Sequence, residues 1–135
     1  MPRKPVEFVG HPFSFPDVMS YPGVCKHIVD GDTIDVFVSV GLNKYAYETI
    51  RILGIMVGEM KSKNAAEKKR AQAAKKFLEE LLLGQPVQIR TRKAATTFER
   101  FVADVIYVGS DGNERSVADT LRAAGHAKLG NKMGE

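Results

Sequence analysis

Asp30-Gly31-Asp32-Thr33 places two carboxylates, a glycine and a hydroxyl between two β-rich runs, Val24–Val29 and Ile34–Val38. Asp-Gly between apolar runs is a hairpin signal, because glycine accepts the positive φ of a tight turn. Asp32 is not explained by the turn alone: it opens a strand, where a carboxylate is disfavoured, so its charge is free for use. A plain turn with solvated acids is the alternative. Arg51 stands in the apolar run Ile50-Arg51-Ile52-Leu53-Gly54-Ile55, with Leu53 and Ile55 expected on its face of the strand. A guanidinium held there needs a ligand or a partner, since a desolvated unpaired cation is costly. An ion pair with Glu59 or Asp32 that braces the fold is its structural alternative. Arg100, before a later strand, reads by itself as a strand-edge cation, and Glu59, in the loop from Gly54 to Met60, as an exposed acid.

A net charge of +4 is unevenly placed, with Lys61, Lys63, Lys68, Lys69, Arg70, Lys75 and Lys76 in one stretch and Arg90, Arg92 and Lys93 in another. Such clusters favour a polyanionic partner, because each phosphate contact releases counterions. The wet face of a helix is the alternative for the first cluster, and the one its pattern favours. The 135 residues predict one domain, large enough to bury a core without disulfides. Cys25 is the single cysteine and reads as a small buried hydrophobe. His11, His27 and His126 lack ligand-like spacing. No apolar run is long enough to cross a bilayer, and no secretory signal is visible, so a cytoplasmic monomer is expected.

Five prolines within the first 22 residues predict an extended arm over residues 1–21, followed by a domain over 22–130 and a flexible tail over 131–135. Strand signals follow at about 24–29, 32–40, 45–55, 86–92 and 101–108. The spacing of Ala71, Ala74, Phe77, Leu78, Leu81 and Leu82 predicts a helix over about 65–83, capped by Asn64 and stopped by Gly84. A shorter helix is expected from near Ser116 to about Ala124, ended by Gly125. Three strands, a helix, two strands and a helix is the order of the OB-fold, so the fold class is mainly β: a five-stranded Greek-key barrel with two to three α-helices.

Asp30-Gly31-Asp32-Thr33, then Ile50 to Ile55 leading to Gly58-Glu59, then Phe98-Glu99-Arg100-Phe101, in order over roughly residues 22–129, resemble the staphylococcal nuclease (thermonuclease) family. Ser116-Val117-Ala118-Asp119 and Leu121 through Lys128 are similar to that family's closing helix and turn. The resemblance implies an OB-fold and calcium-dependent hydrolysis of phosphodiesters in DNA and RNA. It implies that Asp32 ligates the cation, that Arg51 and Arg100 hold the reacting phosphate, and that Glu59 orients or deprotonates the attacking water. It further implies that Phe98 and Lys128 touch substrate. Two guanidinium forks suit the charge that builds on the phosphoryl oxygens.

One departure bears on the metal. Met56-Val57-Gly58 replaces the family's aspartate, small or hydroxyl residue and proline, so a second ligating carboxylate is missing at Met56. Thioether sulfur is a poor donor for a hard cation; the Val57 backbone carbonyl remains a candidate metal ligand but supplies no charge. Ca2+ is expected at a weakened site, with Mn2+ or Mg2+ as substitutes. Asp35 replaces the missing ligand only if its strand bulges, since parity sets it opposite Asp32. A nuclease with a weakened metal site and a nucleic-acid-binding module without chemistry are therefore the two leading readings, and a protein-interaction domain or an engineered inactive scaffold is the third.

Overall fold

The protein is described by a computed structural model that covers residues 18–57, 63–96 and 101–130. Its elements in chain order are β1 (Val18–Asp30), β2 (Thr33–Gly41), β3 (Lys44–Ile52), β4 (Ile55–Met56), α1 (Ala65–Leu82), β5 (Pro86–Thr96), β6 (Phe101–Val108), β7 (Glu114–Ser116), α2 (Val117–Ala123) and β8 (Lys128–Leu129). The sheet runs β3-β2-β1-β5-β6-β7, and a further pairing of β3 with β6 closes it into a five-stranded barrel. That closing pair is parallel, with Arg51 opposite Val102, whereas the other barrel pairs are antiparallel. This is the OB-fold, with two helices.

Alternation along the strands fills the interior. Ile34, Val36 and Val38 on β2, Ile50 and Ile52 on β3, Val87 and Ile89 on β5, and Ala103 and Val105 on β6 are all buried. In β1 the buried Cys25 and Ile28 are three residues apart, a spacing that a regular strand cannot turn inward twice. A register shift between Cys25 and His27 resolves this: the extra residue, Lys26, bulges into solvent and restores the inward phase. A second shift, between Ile28 and Asp30, bends the strand into the carboxylate turn.

Helix α1 buries Ala71, Ala74, Leu78 and Leu82, and the Asn64 side chain accepts from the backbone N–H groups of Ala66 and Glu67. Ser116 caps α2 in the same way by accepting from Asp119 N, and Gly125 follows at φ 80°. Both helices lie within a residue or two of their expected bounds. The first strand differs: it begins at Val18, inside the stretch read as a proline-rich arm, and pairs with β5 from Val18 opposite Arg92. Pro22 is accommodated because β2 reaches only as far as Gly23, so one edge of β1 is unpaired at the proline and lacks nothing when its N–H is missing. The rest of the arm, residues 1–17, and the tail lie outside the described residues.

Gly31 has a different cause from the one its sequence context indicates. It does not adopt a positive φ; a Cβ there would lie 2.8 Å from the Ala74 Cβ of α1 and 3.3 Å from Val57 Cγ2. Glycine is needed because helix, turn and the segment after β4 meet at this point. Gly31→Ala is expected to lower stability by about 1–3 kcal/mol through overpacking, read as a shift in urea midpoint at constant slope. An unchanged midpoint would show that α1 moves aside freely.

Candidate active site

The β2–β3 register sets Arg51 opposite Thr33, the residue after the Asp30-Gly31-Asp32 turn. The backbone of Ile52 donates to the Asp32 carbonyl at 2.8 Å and ties the end of β3 to that turn. Asp32 itself lies in the turn, since β2 begins at Thr33 rather than at the aspartate. Its carboxylate accepts from Thr33 Oγ1 at 2.8 Å, and its backbone N–H donates to the Asp30 carboxylate at 3.3 Å. Arg51 Nε stands 3.8 Å from Asp32 Oδ2, with side-chain exposures of 41% and 17% respectively. The ion pair named above as Arg51's structural alternative is thus present. The approach is through Nε and is too long for a hydrogen bond; the guanidinium makes no hydrogen bond among the described residues and so offers a fork to an anion. Arg51 is also less embedded than its apolar neighbours imply. β3 ends at Ile52, and its face continues through Thr49, Tyr47 and Tyr45 rather than Leu53 and Ile55.

Burial is the main cause that pushes the Asp32 carboxyl up, from 3.8 to about 6. Its hydrogen bond with the Asp30 carboxyl and that group's charge push the same way, while the Thr33 hydroxyl and the Arg51 charge oppose them. Two carboxylates held together with too little counter-charge form a site that gains from a cation.

Val57 closes over the turn, in contact range of the position a Gly31 Cβ would take. Met56, just before it, is 55% exposed and sits opposite Lys128 in the short β4–β8 pair. Lys128 thereby joins the same end of the barrel. Asp35 is on the outer face that Arg51 shares but is engaged there: it accepts from Thr49 Oγ1 at 2.6 Å and lies 3.3 Å from His27 Nδ1. Glu59, Phe98 and Arg100 lie outside the described residues. The nearest described neighbour of Arg100 in sequence, Phe101, begins β6 opposite Ile50, beside Arg51.

Among the described residues no group of three His, Cys, Asp or Glu side chains gathers as a metal cage. The Asp30–Asp32 oxygens suit Ca2+, Mn2+ or Mg2+ in hardness and charge, but fill few of the six or more positions that calcium takes. The rest of such a shell would have to come from other donors. The Asp30 contact was hidden in the sequence because the Asp-Gly-Asp spacing also fits a solvated turn; a side chain that bonds the backbone two residues on is the signal that points to it.

No curated protein is a significant match to the chain. The family model described as staphylococcal nuclease homologue matches residues 49–134, which includes Arg51, Met56 and Lys128 and leaves the Asp30–Asp32 turn to the geometry above. With that match over more than half of its length and a closed five-stranded barrel beneath it, the chain belongs to the family of staphylococcal nuclease homologues.

Proposed function

We propose that the chain is a phosphodiesterase that hydrolyses DNA or RNA at the barrel end carrying Asp32 and Arg51. The observation that supports this most is the carboxylate pair Asp30–Asp32 held beside Arg51, whose guanidinium makes no hydrogen bond among the described residues. Arg51 binds one edge of the phosphate, and its guanidinium strengthens its hold as charge builds on the phosphoryl oxygens. Arg100 takes a second edge, and Glu59 accepts a proton from the attacking water. Asp32, with Asp30 beside it, holds Ca2+, or Mn2+ or Mg2+ in its place; the bound cation supplies charge neutralisation at the phosphate and a more acidic water. Lys128 and Phe98 contact the strand on either side.

Cleavage of single-stranded DNA, with calcium, manganese and magnesium in turn, tests this reading. Arg51→Ala is expected to lower the rate by about 10²–10³-fold without loss of fold, and Arg51→Lys to recover little because lysine lacks the planar fork. An Arg51→Ala protein that cleaves at the original rate would place the chemistry elsewhere. The exposed thioether at Met56 favours a second reading, a nucleic-acid-binding module without chemistry. Salt-sensitive binding with no cleavage under any of the three cations would establish it.

A further inference from the structure

A polar row crosses the outer face of the sheet beside Arg51. The β1–β2 register sets His27 opposite Asp35, and the β2–β3 register sets Asp35 opposite Thr49. Asp35 holds both neighbours: one carboxylate oxygen accepts from Thr49 Oγ1 at 2.6 Å, and the other lies 3.3 Å from His27 Nδ1. The order is hydroxyl, carboxylate, imidazole, with the Asp35 side chain 17% exposed and the ring 62% exposed. Further towards the hairpin end, Phe37 stacks on Tyr45, and cross-strand packing accounts for that pair. Packing does not account for the polar row. A pair this open to water on one side adds little to stability, yet Asp35 gives up hydration to make it.

The bulge in β1 aims the ring. Lys26 and His27 are successive residues and both are exposed, where regular alternation would send one of them inward. The register shift between Cys25 and His27 turns them both to solvent, as bulges do where a side chain has to be redirected. An ionised carboxylate only accepts, so Asp35 favours the tautomer with its proton on Nδ1 and leaves the Nε2 lone pair facing out. Nε2 makes no hydrogen bond among the described residues. An imidazole oriented by a carboxylate in this way is prepared to act as a general base.

Arg51 lies two residues along β3 from Thr49, and His27 lies two strands across from it, about 12 Å apart in backbone. That span accommodates one ribonucleotide, with its 3′ phosphate on the guanidinium and its 2′ hydroxyl at the imidazole.

We infer that His27 is the base of a second, metal-independent reaction, the transesterification of RNA by its own 2′ hydroxyl. The inference rests on the reading of Arg51 as a phosphate holder and adds an activity which that reading does not contain. His27 Nε2 takes the proton of the 2′ hydroxyl as the 2′ oxygen bonds to phosphorus and the bond from phosphorus to the 5′ oxygen breaks. The departing 5′ oxygen takes a proton from water, and the imidazolium returns its own to solvent. The products are a 2′,3′-cyclic phosphate and a 5′ hydroxyl. Arg51 and Lys26 offset the charge that builds on the non-bridging oxygens. Asp35 and Thr49 are positioning residues. The nucleophile is already attached to the substrate, so no cation is needed to generate one.

The test uses a fluorescein-labelled DNA oligonucleotide that carries one ribonucleotide, incubated in chelator. Cleavage is expected at the ribonucleotide alone, with a 2′,3′-cyclic phosphate end, and none is expected in the all-deoxy strand. His27→Ala is expected to cut about 100-fold slower, and added imidazole to restore part of the rate. Asp35→Asn is expected to cost about tenfold, and to cost nothing more in the imidazole-rescued His27→Ala protein, a pattern that a damaged fold would not give. No cutting in chelator, or cutting that His27→Ala leaves unchanged, overturns the inference. A His27→Ala loss that imidazole does not restore also overturns it, and assigns the ring a structural place. In each case cation-dependent cleavage of the all-deoxy strand leaves the Arg51 reading standing. Failure to cut either strand, with or without cations, overturns both.

Discussion

Met56→Asp is expected to raise calcium-dependent cleavage of single-stranded DNA by about tenfold or more, by adding a third carboxylate to the Asp30–Asp32 end of the barrel. Position 56 admits the change cheaply: its side chain is more than half exposed, and the residue across the β4–β8 pair is Lys128, a cation. Three carboxylates repel without a cation, so the variant is expected to be less stable than the original in chelator and to overtake it in calcium. A tenfold gain in affinity adds about 1.4 kcal/mol to the stabilisation that saturating calcium gives, since a ligand of the folded state alone stabilises by RT ln(1 + [L]/Kd). Oligonucleotide digestion reads the gain in cleavage, and thermal unfolding with and without calcium reads the change in stability. A variant that binds calcium yet stays inert would show that Glu59 and the arginines do not have the roles given to them.

Asp32→Asn is expected to move stability and function in opposite directions. The folded state raises the Asp32 carboxyl from 3.8 to about 6, so folding favours the protonated form. Its contribution is therefore present in full below about pH 4 and is lost as the pH rises through 6, and the ionised carboxylate costs the fold on the order of 2 kcal/mol at pH 8. Asparagine removes that charge and keeps an oxygen for Thr33 Oγ1. Urea unfolding is expected to show a gain on the order of 2 kcal/mol at pH 8, the opposing Arg51 charge being already contained in the net rise, and little change at pH 4. Calcium is then expected to stabilise the original protein and not the variant. A variant less stable at pH 8 than the original would mean that Asp32 serves as a brace for Arg51, the structural role, rather than as a cation ligand.

The barrel order was legible because its signals are local. The helix stripe of Ala71, Ala74, Leu78 and Leu82, the caps at Asn64 and Ser116, and the inward Ile34-x-Val36-x-Val38 alternation each lie within a few residues of chain. What failed to read involved distant partners. The Val18–Gly23 half of β1 is strand because β5 pairs with it, which Pro22 and the prolines before the strand conceal. The two-residue strands β4 and β8 exist only as each other's partner, across more than seventy residues of chain. Gly31 looked like a turn glycine, but its requirement comes from Ala74, a contact between elements. In the site, Arg51 and Asp32 were legible as residue types in an unusual setting. Their 3.8 Å pairing follows from the β2–β3 register, and the Phe37–Tyr45 stack from the same register read on the outer face.

The central claim is convergence: Arg51, described here beside Asp32, and Arg100, outside the described residues, serve one phosphate. A double-mutant cycle on single-stranded DNA cleavage, with Arg51→Ala and Arg100→Ala placed singly and together in the Met56→Asp protein, measures this directly. Residues that act as a unit are strongly non-additive, so the double variant is expected to be little slower than the slower single variant. Losses that multiply in full, or a single variant that cleaves at the parent rate, would contradict it.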